Sequence, residues 1–485
     1  MPPAAASDDQ RHQKLLSKLA PLGQQHVLAR WSQLNPAQQD RLAAQIADFD
    51  PALFQSLQQA FRNEQSAGQT DRAHYAALAT RATPPPAISL GGSGAGFSPE
   101  DARRRGEQLL RAGQIAMILV AGGLGTRLGF DQPKGMFPLG PLSGRTLFQI
   151  ILEQLLAAQR RSGALIPLYV MTSPSTDSVT REFLDGHDWF GIAPTDRRVF
   201  CQSTMWAVDD RFEKLLMSAP DSLFLGPDGH GGMLSALAKS GSLADAQSRG
   251  VQHFFYGQID NPLLQVCDPL LLGSHALAHS EMTTQVVRKR RPLEKVGNVV
   301  SVDGRVHVIE YSDLPAEVAE QTNPDGSLKL WAGNLAVHVF DAAFLSRCAN
   351  EPGALPFHQA HKKVTCLDAA GNEVEPAEPN AIRFERFIFD LLPLASRALV
   401  VEADPAEAFA PVKNANTDLT DNPRTAQEAM IALARKQLRA AGIQIDDDTS
   451  IEINPLFAST PEELRQRLPP NATIDKITYL APTDQ

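Results

Sequence analysis

The chain has 485 residues, a formal net charge of −10 and 43% hydrophobic residues. This length exceeds what a single hydrophobic core usually covers, so two or three lobes are expected. The negative charge argues against a nucleic-acid binder that works through bulk attraction of phosphates, but it still allows a local cation cluster that holds a small anion. Four widely spaced cysteines predict reduced thiols and a cytoplasmic location. The N-terminus has no apolar signal core, and no membrane segment is predicted.

The first part of the chain is predicted to be helical, because apolar residues recur at three- and four-residue intervals between about residues 10 and 79. The run PPPAISLGGSGAG (Pro84–Gly96) follows and predicts a linker. Its glycines follow no predicted strand, so we expect no phosphate site there. Residues 1–97 are therefore the predicted N-terminal region.

From residue 98 onward, apolar strand-like runs alternate with amphipathic helices. The predicted strands are Ile115–Ala121, Pro167–Thr172, Arg198–Gln202 and His253–Gln258. The predicted helices are Thr146–Arg160, Pro174–Leu184 and one that begins with Gly231–Lys239. This alternation predicts an α/β fold with a mostly parallel sheet, in which ligands bind at the carboxyl ends of the strands.

Two later regions depart from that alternation. Closely spaced strands between Thr283 and Phe340 predict an insertion of β-hairpins over the sheet. A helix at Thr425–Ala441, followed by short β-like runs, predicts a small C-terminal lobe. The predicted domain boundaries are therefore 1–97, 98–402 and 403–485.

A glycine-rich loop directly follows the first strand of the alternating part. It reads A-G-G-x-G-T-R-L-G-x-x-x-P-K-G from Ala121 to Gly135, and this spacing fits neither a Walker loop nor a dinucleotide fingerprint. Glycines allow positive φ and close approach of a ligand, while a threonine, an arginine and a lysine supply donors for phosphate oxygens. We predict that the loop holds a polyphosphate; a glycine-rich turn with surface charges is the alternative. The residues concerned are Gly122, Gly123, Gly125, Thr126, Arg127 and Lys134.

The loop resembles the signature of the UDP-sugar pyrophosphorylases, and it is most similar to the eukaryotic-type UDP-N-acetylhexosamine enzymes. Nine further segments resemble that family in the family's order. They are YVMTSPSTDSVTREF (Tyr169–Phe183), FCQSTMWAV (Phe200–Val208), PDGHGGMLSAL (Pro227–Leu237), YGQIDNPLLQVCDP (Tyr256–Pro269), Lys295–Leu314, WAGNLAVHVF (Trp331–Phe340), HQAHKKV (His358–Val364), NAIRFERFIFD (Asn380–Asp390) and FAPVKNAN (Phe409–Asn416). The resemblance implies a Rossmann-like nucleotidyltransferase core.

The resemblance also implies an activity, in which UTP and a sugar 1-phosphate give a UDP-sugar and diphosphate. A sugar phosphate is already mostly dianionic near neutral pH, so its attacking oxygen needs no general base. The protein must align that oxygen with the α-phosphate of UTP and neutralise charge on the leaving diphosphate. A sequence without a Ser-His-Asp or Cys-His signature fits this chemistry.

Roles for individual residues follow from the same resemblance. Arg127, Lys134 and Lys413 would act on the phosphates, with Lys134 at the leaving diphosphate. Asp260 suits Mg²⁺ or the ribose, since Mg²⁺ prefers hard oxygen ligands and keeps several waters. The implied nucleotide-binding residues are Gly122, Gly123, Gly125, Thr126, Gln202, Gly229 and Asp260. The implied sugar-binding residues are His230, Gly297, Glu310, Asn334, Phe387 and Phe389.

Purely structural roles remain open for several of these side chains. Asp260 could cap the turn before Pro262, Glu310 could face solvent from a strand, and the two phenylalanines could be core residues. Lys413 alone would be a surface lysine. The cationic run RKRRPLEK (Arg288–Lys295) is predicted to be a solvated hairpin rather than a nucleic-acid patch.

Two histidine pairs have a spacing that a metal site could use. His275 and His279 are four residues apart, and His358 and His361 are three apart. Neither pair has the cysteines or the glutamate of a zinc motif, so both are predicted to be structural or exposed.

Three segments differ from the family pattern. Acetylhexosamine enzymes usually have P-D-G-N-G-G where this chain has His230, and a histidine there resembles the UDP-glucose pyrophosphorylases. CQST (Cys201–Thr204) and NAI (Asn380–Ile382) also differ. Because GNLAVH, HKKV and FERFIFD resemble the acetylhexosamine branch, N-acetylglucosamine 1-phosphate is the predicted substrate. Glucose or galactose 1-phosphate is the alternative, and a non-catalytic nucleotide-sugar-binding protein is an alternative of another class.

Overall fold

The structure of the chain is a computed structural model that describes residues 4–67, 71–89 and 96–482. Contacts group the chain into two compact units, each built from separate stretches of sequence. The first unit comprises Met1–Ala77, Ser203–Gly232 and Leu355–Phe387, and the second comprises Leu78–Gln202, Met233–Ala354 and Ile388–Gln485. This grouping differs from the predicted segments, because two parts of the central segment pack with the N-terminal helices and the C-terminal segment packs with the sheet. The three-segment division into independent domains stays a prediction.

Fifteen α-helices occur within the described ranges. They are α1 (Ala4–Leu19), α2 (Pro36–Asp48), α3 (Pro51–Ala67), α4 (Asp71–Arg81), α5 (Pro99–Arg111), α6 (Leu147–Ser162), α7 (Asp177–Gly186), α8 (Gly232–Lys239), α9 (Ser242–Ser248), α10 (Pro269–Leu277), α11 (Ala316–Ala319), α12 (Ala342–Asn350), α13 (Pro405–Ala408), α14 (Pro423–Ala440) and α15 (Pro461–Arg467). Short 3₁₀ turns lie at Ala20–Leu22, Gln25–Leu28, Trp31–Gln33, Thr126–Leu128, Lys134–Met136, Asp188–Gly191, Pro194–Asp196 and Ile388–Leu394. In this part of the chain no helix combines the length and the apolar character needed to cross a membrane.

Ten strands form one central sheet, and all of them belong to the second unit. They are β1 (Ala87–Ser89), β2 (Ile115–Val120), β3 (Leu168–Thr172), β4 (Arg197–Cys201), β5 (His253–Gln258), β6 (Met282–Arg288), β7 (Asn298–Val302), β8 (Arg305–Ile309), β9 (Ala332–Asp341) and β10 (Ala398–Glu402). Shorter strands of the second unit are Leu124–Gly125, Phe130–Pro133, Gln444–Ile445, Ile451–Ile453, Thr473–Ile474 and Thr478–Leu480. The first unit contains Thr204–Trp206, Val208–Asp209, Met217–Ala219, Ser222–Leu223, Leu225–Pro227, His358–Lys362, Cys366–Leu367, Glu373–Val374 and Ala381–Glu385.

The central sheet has the order β1-β10-β6-β9-β5-β2-β3-β4, with β7 paired to β9 and β8 paired to β7. The pairs β1–β10, β10–β6, β5–β2, β2–β3 and β3–β4 are parallel. Only β9 among the described strands on this path runs antiparallel to both neighbours. The sheet is therefore mostly parallel, as predicted.

The predicted hairpin insertion between Thr283 and Phe340 is only partly right. The strands β7 and β8 do form a hairpin. However, β6 and β9 are members of the central sheet itself, and β7 also joins its edge through β9. Their close spacing in the sequence reflects an antiparallel connection within the sheet rather than a separate layer.

Local sequence explains how the elements next to the glycine loop begin and end. The strand β2 reads IAMILV and is almost wholly buried, which is typical of a central parallel strand covered on both faces. The helix α6 begins after Thr146, whose Oγ1 accepts the amide N–H of Gln149 at 3.2 Å. It ends at Gly163, whose φ of 67° suits a helix-terminating glycine.

The N-terminal helices of the first unit pack on an aromatic cluster contributed by later residues. The ring centroids of Trp206 lie 5.3 Å from Phe54 and 5.1 Å from Phe384. Phe54 and Phe212 are 5.4 Å apart, and all four side chains are buried. Burial of this cluster ties residues 203–232 and 355–387 to the N-terminal helices.

The predicted linker Pro84–Gly96 is wrong in its first half. Residues Ala87–Ser89 form β1, which pairs in parallel with β10. The side chain of Ile88 is buried in the hydrophobic core. The glycine-rich remainder at residues 90–95 lies outside the described residues. A strand of three residues is too short to show a recognisable alternation of apolar and polar residues, and the three prolines before it indicate a linker instead.

The C-terminal lobe has a hydrophobic cluster of its own, which includes Leu438, Ile451 and Leu464. A buried network of charges joins this lobe to the helix α6. Arg145 lies 2.6 Å from a Glu153 oxygen and 2.7 Å from a Glu452 oxygen, and all three side chains are at least nine-tenths buried. A buried arginine needs such paired carboxylates, because an unpaired charge in the interior is strongly destabilising.

The helices α5 and α10 cross at two glycines. A Cβ on Gly106 would overlap the carbonyl oxygen of Pro269, and one on Gly273 would overlap the carbonyl oxygen of Ala102. The absent side chains allow the two helix backbones to touch, which brings α10 onto the sheet beside α5.

We predict that Gly106→Ala lowers the free energy of unfolding by about 1–3 kcal/mol, since the added methyl must separate two packed backbones. Gly186→Ala is the matched control, because a Cβ on that helical glycine meets no atom within 4 Å. The free energy of unfolding of the control variant should equal or slightly exceed that of the wild type. Thermal and urea unfolding of the three proteins measure the difference. Equal stability of the two variants would contradict the close helix crossing.

Candidate active site

The glycine loop leaves the sheet at the carboxyl end of β2. A Cβ on Gly122 would lie 3.3 Å from Ser173, whose Oγ donates to the Gly122 carbonyl at 2.7 Å. A Cβ on Gly125 would lie 2.7 Å from the carbonyl oxygen of Phe130, whereas one on Gly123 would meet no atom within 4 Å. None of these three has a positive φ. The freedom that glycine gives to adopt positive φ is therefore not used at these three positions, and close packing explains Gly122 and Gly125.

The loop folds back on itself and brings a lysine beside its second glycine. Leu124 and Gly125 pair in antiparallel fashion with the strand Phe130–Pro133. The amide of Lys134 then donates to the carbonyl of Gly123 at 3.0 Å. Thr126 and Arg127 lie on the intervening 3₁₀ turn and are exposed. The loop thus presents its hydroxyl and guanidinium to solvent while it holds Lys134 close to the sheet edge.

Three cations and one carboxylate act on one another next to this loop. The Nζ atom of Lys134 lies 3.9 Å from Oδ2 of Asp260, and each side chain is only 16% exposed. Burial lowers the pKa of Lys134, Asp260 opposes this shift, and the positive charges of Lys413 and Arg127 add to it. Because two neighbouring cations disfavour the charged form of Lys134, this position is suited to a polyanion, which would relieve the repulsion.

The segment that carries Lys413 is fastened to the residues after β5. The amide of Val412 donates to the carbonyl of Asp260 at 2.8 Å. The amide of Lys413 donates to the carbonyl of Asp421 at 2.7 Å, and its Nζ lies 5.7 Å from the ring centroid of Phe409. The backbone hydrogen bonds of Val412 and Lys413 therefore define the position of the Lys413 Cα atom, from which the side chain extends.

Gln202 lies at the same edge of the sheet as the glycine loop. It follows β4 directly and is buried. Its backbone N–H donates to the carbonyl of Thr172 at 2.9 Å. Gly122, Gln202 and Asp260 thus follow the carboxyl ends of β2, β4 and β5. In parallel sheets this edge is where ligands bind.

Three predicted sugar-binding residues also come together in the second unit. A Cβ on Gly297 would lie 3.0 Å from Oε1 of Glu310 and 3.8 Å from Cβ of Asn334. The backbone N–H of Asn334 donates to the carbonyl of Gly297 at 2.8 Å. The side-chain oxygen of Asn334 accepts from the amide of Ala336 at 3.0 Å. Glu310 is half-buried beside this pair, so it does not lie on a freely solvated strand face.

Three other predicted residues, Gly229, His230 and Phe387, belong to the first unit. Gly229 has a φ of 80°, and a Cβ on it would overlap the carbonyl oxygen of Arg386. The amide of Arg386 donates to the carbonyl of Asp228 at 2.8 Å, and the two side chains form an ion pair. This contact holds the ring of His230 5.4 Å from that of Phe387. Phe389 belongs to the second unit and is buried, which fits a core residue.

His230 is neutral at physiological pH. Burial, and to a smaller extent the nearby His358, lower its pKa to about 4. A neutral imidazole offers one donor and one acceptor, and it carries no charge that would favour phosphate. The ring of His358 in turn lies 4.6 Å from that of Phe387 and its Nδ1 lies 3.3 Å from the Tyr75 hydroxyl.

Of the other histidine pair, His275 lies in the core of the second unit, whereas His279 is exposed. His275 is buried, with Nδ1 2.8 Å from the Thr283 hydroxyl and Nε2 3.2 Å from Nδ1 of His253. Burial lowers the pKa of His275 well below its usual value, and the neighbouring His253 adds to the shift. Within residues 4–67, 71–89 and 96–482, no group of three or more His, Cys, Asp or Glu side chains is arranged to hold a metal ion.

Sequence reasoning missed two buried polar residues and misjudged one cationic run. Neither Ser173, which holds Gly122, nor Asn261, which follows Asp260, carries a signal of its own beyond its place beside a motif residue. Lys289 in the predicted solvated hairpin is buried and donates to Asn298. The guanidinium of Arg288 lies 4.4 Å from the ring centroid of Trp331. The solvated-hairpin prediction is therefore wrong for Lys289, whereas Arg288 is exposed as predicted.

Comparison with known proteins agrees with this geometry. The chain matches the family described as UTP--glucose-1-phosphate uridylyltransferase over residues 53–480. It is 35% identical over 446 residues to UDP-N-acetylhexosamine pyrophosphorylase-like protein 1 of Xenopus tropicalis, which covers 89% of this chain and 85% of the relative. It is 36% identical over 376 residues to UDP-N-acetylglucosamine pyrophosphorylase of Saccharomyces cerevisiae, covering 75% and 78% of the two chains.

The fold has a solved counterpart as well. The crystal structure of a putative UDP-N-acetylglucosamine pyrophosphorylase from Entamoeba histolytica matches with a TM-score of 0.74 and 29% identity, covering 82% of this chain and 100% of that chain. The extent of the family match, together with the glycine loop and its cations at the carboxyl edge of a mostly parallel sheet, leads to one conclusion. The chain belongs to the UTP--glucose-1-phosphate uridylyltransferase family, whose members are nucleotidyltransferase enzymes of the UDP-sugar pyrophosphorylase type.

Proposed function

We propose that this protein catalyses the reaction of UTP with N-acetylglucosamine 1-phosphate to form UDP-N-acetylglucosamine and diphosphate. The observation that carries the proposal is the group formed by Lys134, Asp260 and Lys413 beside the glycine loop. Such a group meets the main demand of the reaction, which is to stabilise negative charge on two phosphate-bearing substrates. The names of the two relatives support the choice of sugar.

The reaction is an in-line attack of the sugar phosphate oxygen on the α-phosphate of UTP. Lys134 lies at the inner end of the loop and would neutralise the leaving diphosphate, while Arg127 would reach it from the exposed turn. Lys413 approaches from the C-terminal side. The cations thus perform the charge stabilisation, and the glycine loop holds the triphosphate in the orientation that the attack requires.

Mg²⁺ is part of the proposal, and Asp260 is the residue that would hold it. One carboxylate fits this ion, because Mg²⁺ retains waters and is usually shared between a protein carboxylate and substrate phosphates. Asp260 lies 3.9 Å from Lys134 and is only 16% exposed, which supports a place beside the phosphates. When bound there, Mg²⁺ would neutralise phosphate charge.

The uracil and the sugar would contact different residues. Gln202, at the end of β4, is the candidate for uracil. Glu310 can accept two sugar hydroxyls. Asn334 uses its side-chain oxygen for the Ala336 amide, so its NH₂ group remains as the donor toward an acetamido carbonyl or a hydroxyl.

Two alternatives are separated by one assay. A preference for glucose or galactose 1-phosphate is favoured by His230, the residue at which the chain resembles the hexose branch. A non-catalytic nucleotide-sugar-binding protein would not need cations on both sides of a triphosphate. Release of diphosphate from UTP, measured with a panel of sugar 1-phosphates, tests all three. Turnover fastest with N-acetylglucosamine 1-phosphate supports the proposal, and no turnover with any sugar would refute catalysis.

We predict that Lys134→Ala and Lys413→Ala each lower kcat by about 100-fold or more, because each removes a group that stabilises charge in the transition state. Lys476→Ala removes an exposed lysine and is the control, with an expected kcat equal to that of the wild type. Steady-state diphosphate release and circular dichroism are measured for all variants. A folded Lys134→Ala or Lys413→Ala enzyme with nearly normal kcat would remove that lysine from the mechanism.

Activity should require Mg²⁺ or a similar hard cation, since the phosphates and Asp260 offer only oxygen ligands. Asp260→Asn should abolish activity or raise the Mg²⁺ concentration needed for half-maximal rate by about tenfold or more, since even the loss of an outer-shell partner of a metal ligand typically costs that much. Titration of Mg²⁺ into chelator-treated wild type and variant provides the measurement. Full wild-type activity in excess chelator would show that the metal proposal is wrong.

His230→Asn should raise the ratio of kcat/KM for N-acetylglucosamine 1-phosphate over glucose 1-phosphate by about tenfold, which is roughly one hydrogen bond. Asparagine is smaller than histidine and adds an amide that can pair with an acetamido group. His361→Asn alters an exposed histidine of the same unit and should leave the ratio unchanged. If the ratio for His230→Asn equals that of the wild type, His230 does not contact the sugar.

A further inference from the structure

A side-chain amide next to Asp260 holds the segment that carries Lys413. Asn261 is buried, with only 4% of its surface exposed. Its Nδ2 donates to the carbonyl of Ala408 at 2.7 Å, and its Oδ1 accepts from the amide of Ala410 at 3.1 Å. One side chain therefore pairs with the backbone on both sides of Phe409, as a neighbouring strand would.

This contact continues along the same segment. Two residues further on, the amide of Val412 donates to the carbonyl of Asp260 at 2.8 Å. Asp260 and Asn261 thus make three hydrogen bonds with residues 408–412, and Lys413 is the next residue. The ring of Phe409, which lies between the two bonds of Asn261, is 5.7 Å from Nζ of Lys413.

The arrangement ties two parts of the phosphate-binding group to each other. Asp260 lies 3.9 Å from Lys134, and the charge of Lys413 acts on the pKa of Lys134. The distance of Lys413 from those two groups depends on where residues 408–412 lie, because a lysine side chain has a fixed reach. A displacement of about 1 Å of a group that orients a reacting substrate can cost about 100-fold in rate.

We propose that Asn261 is a positioning residue, which sets the place of Lys413 relative to Asp260 and Lys134 by clamping the backbone of Ala408 and Ala410. It does not touch the substrates, and it acts through Lys413 alone. The inference rests on the proposed function, since it assigns to Lys413 a part in diphosphate binding and release.

Two substitutions remove the clamp in different ways. Asn261→Asp keeps the size and the acceptor for Ala410, but it replaces the donor to the Ala408 carbonyl with a carboxylate oxygen that repels it. Asn261→Ala removes both bonds to the segment, together with the 3.3 Å acceptor for the backbone amide of Leu263, without adding a charge. It carries the test if the aspartate variant does not fold. Each is expected to lower kcat about tenfold or more and to weaken diphosphate binding by a similar factor, with melting temperatures recorded alongside.

The deciding measurement is a double-mutant cycle with Lys413→Ala. In that background each Asn261 substitution is expected to change kcat and the dissociation constant of diphosphate by no more than about twofold, because the residue it positions is gone. Asn380→Asp is the matched control. In the first unit, Asn380 clamps Val364 in the same way, with bonds of 2.9 and 2.8 Å to its carbonyl and amide. Its effect should be the same factor in both backgrounds.

The outcomes separate this inference from the proposed function. If Asn261 substitutions cost the same factor with and without Lys413, Asn261 has only a structural role and the inference is wrong. It is also wrong if Lys413→Ala itself has no effect on diphosphate binding. Calorimetric titration of diphosphate needs no turnover, so the cycle can be completed even if no sugar 1-phosphate proves to be a substrate, which is the result that overturns the proposed function.

Discussion

The candidate site depends on the register of four parallel strands. Backbone pairing sets Gln258 of β5 opposite Val120 of β2, and Val120 opposite Met171 of β3. The last residue of β3 is in turn opposite Cys201, the last of β4. The four strands therefore end at nearly the same level, and the residues that follow them share one edge. A shift of one strand by a single residue would turn its side chains to the opposite face and move its loop away from the others.

The other constraint at the carboxyl edge of the sheet is the repulsion between its positively charged side chains. Backbone groups and neutral side chains bring Lys134, Asp260 and Lys413 together, although burial and mutual repulsion oppose the gathering of two lysines. Asp260 offsets part of that repulsion in the ligand-free protein. If these residues bind a polyphosphate as proposed, its charge would relieve this repulsion, and the same few residues would affect both the free energy of folding and the affinity for ligand.

The sequence predicted the order of strands and helices in the alternating part because strand-like runs and amphipathic helical runs are separated by turn residues. The sequence also indicated that Gly122, Gln202 and Asp260 follow strand ends, although their binding roles stay predictions. Three properties could not be predicted, since they depend on distant partners: the membership of β6 and β9 in the central sheet, the strand β1 beside its prolines, and the burial of Lys289. Asn261 was missed because nothing in the sequence indicates that its amide meets residues 147 and 149 positions later.

The buried pairing of Arg145 with Glu452 has a consequence for biosynthesis. The two residues are separated by 307 positions, and the chain leaves the ribosome from its N-terminus. Until Glu452 emerges, the arginine at the start of α6 can reach Glu153 but lacks the carboxylate that also holds the loop before it. The last part of the polypeptide is thus needed to neutralise a cation in the middle of the sheet-bearing unit. A message cut short before that codon would yield a product with an incompletely paired interior charge, the kind of defect that keeps a core open to chaperones and proteases.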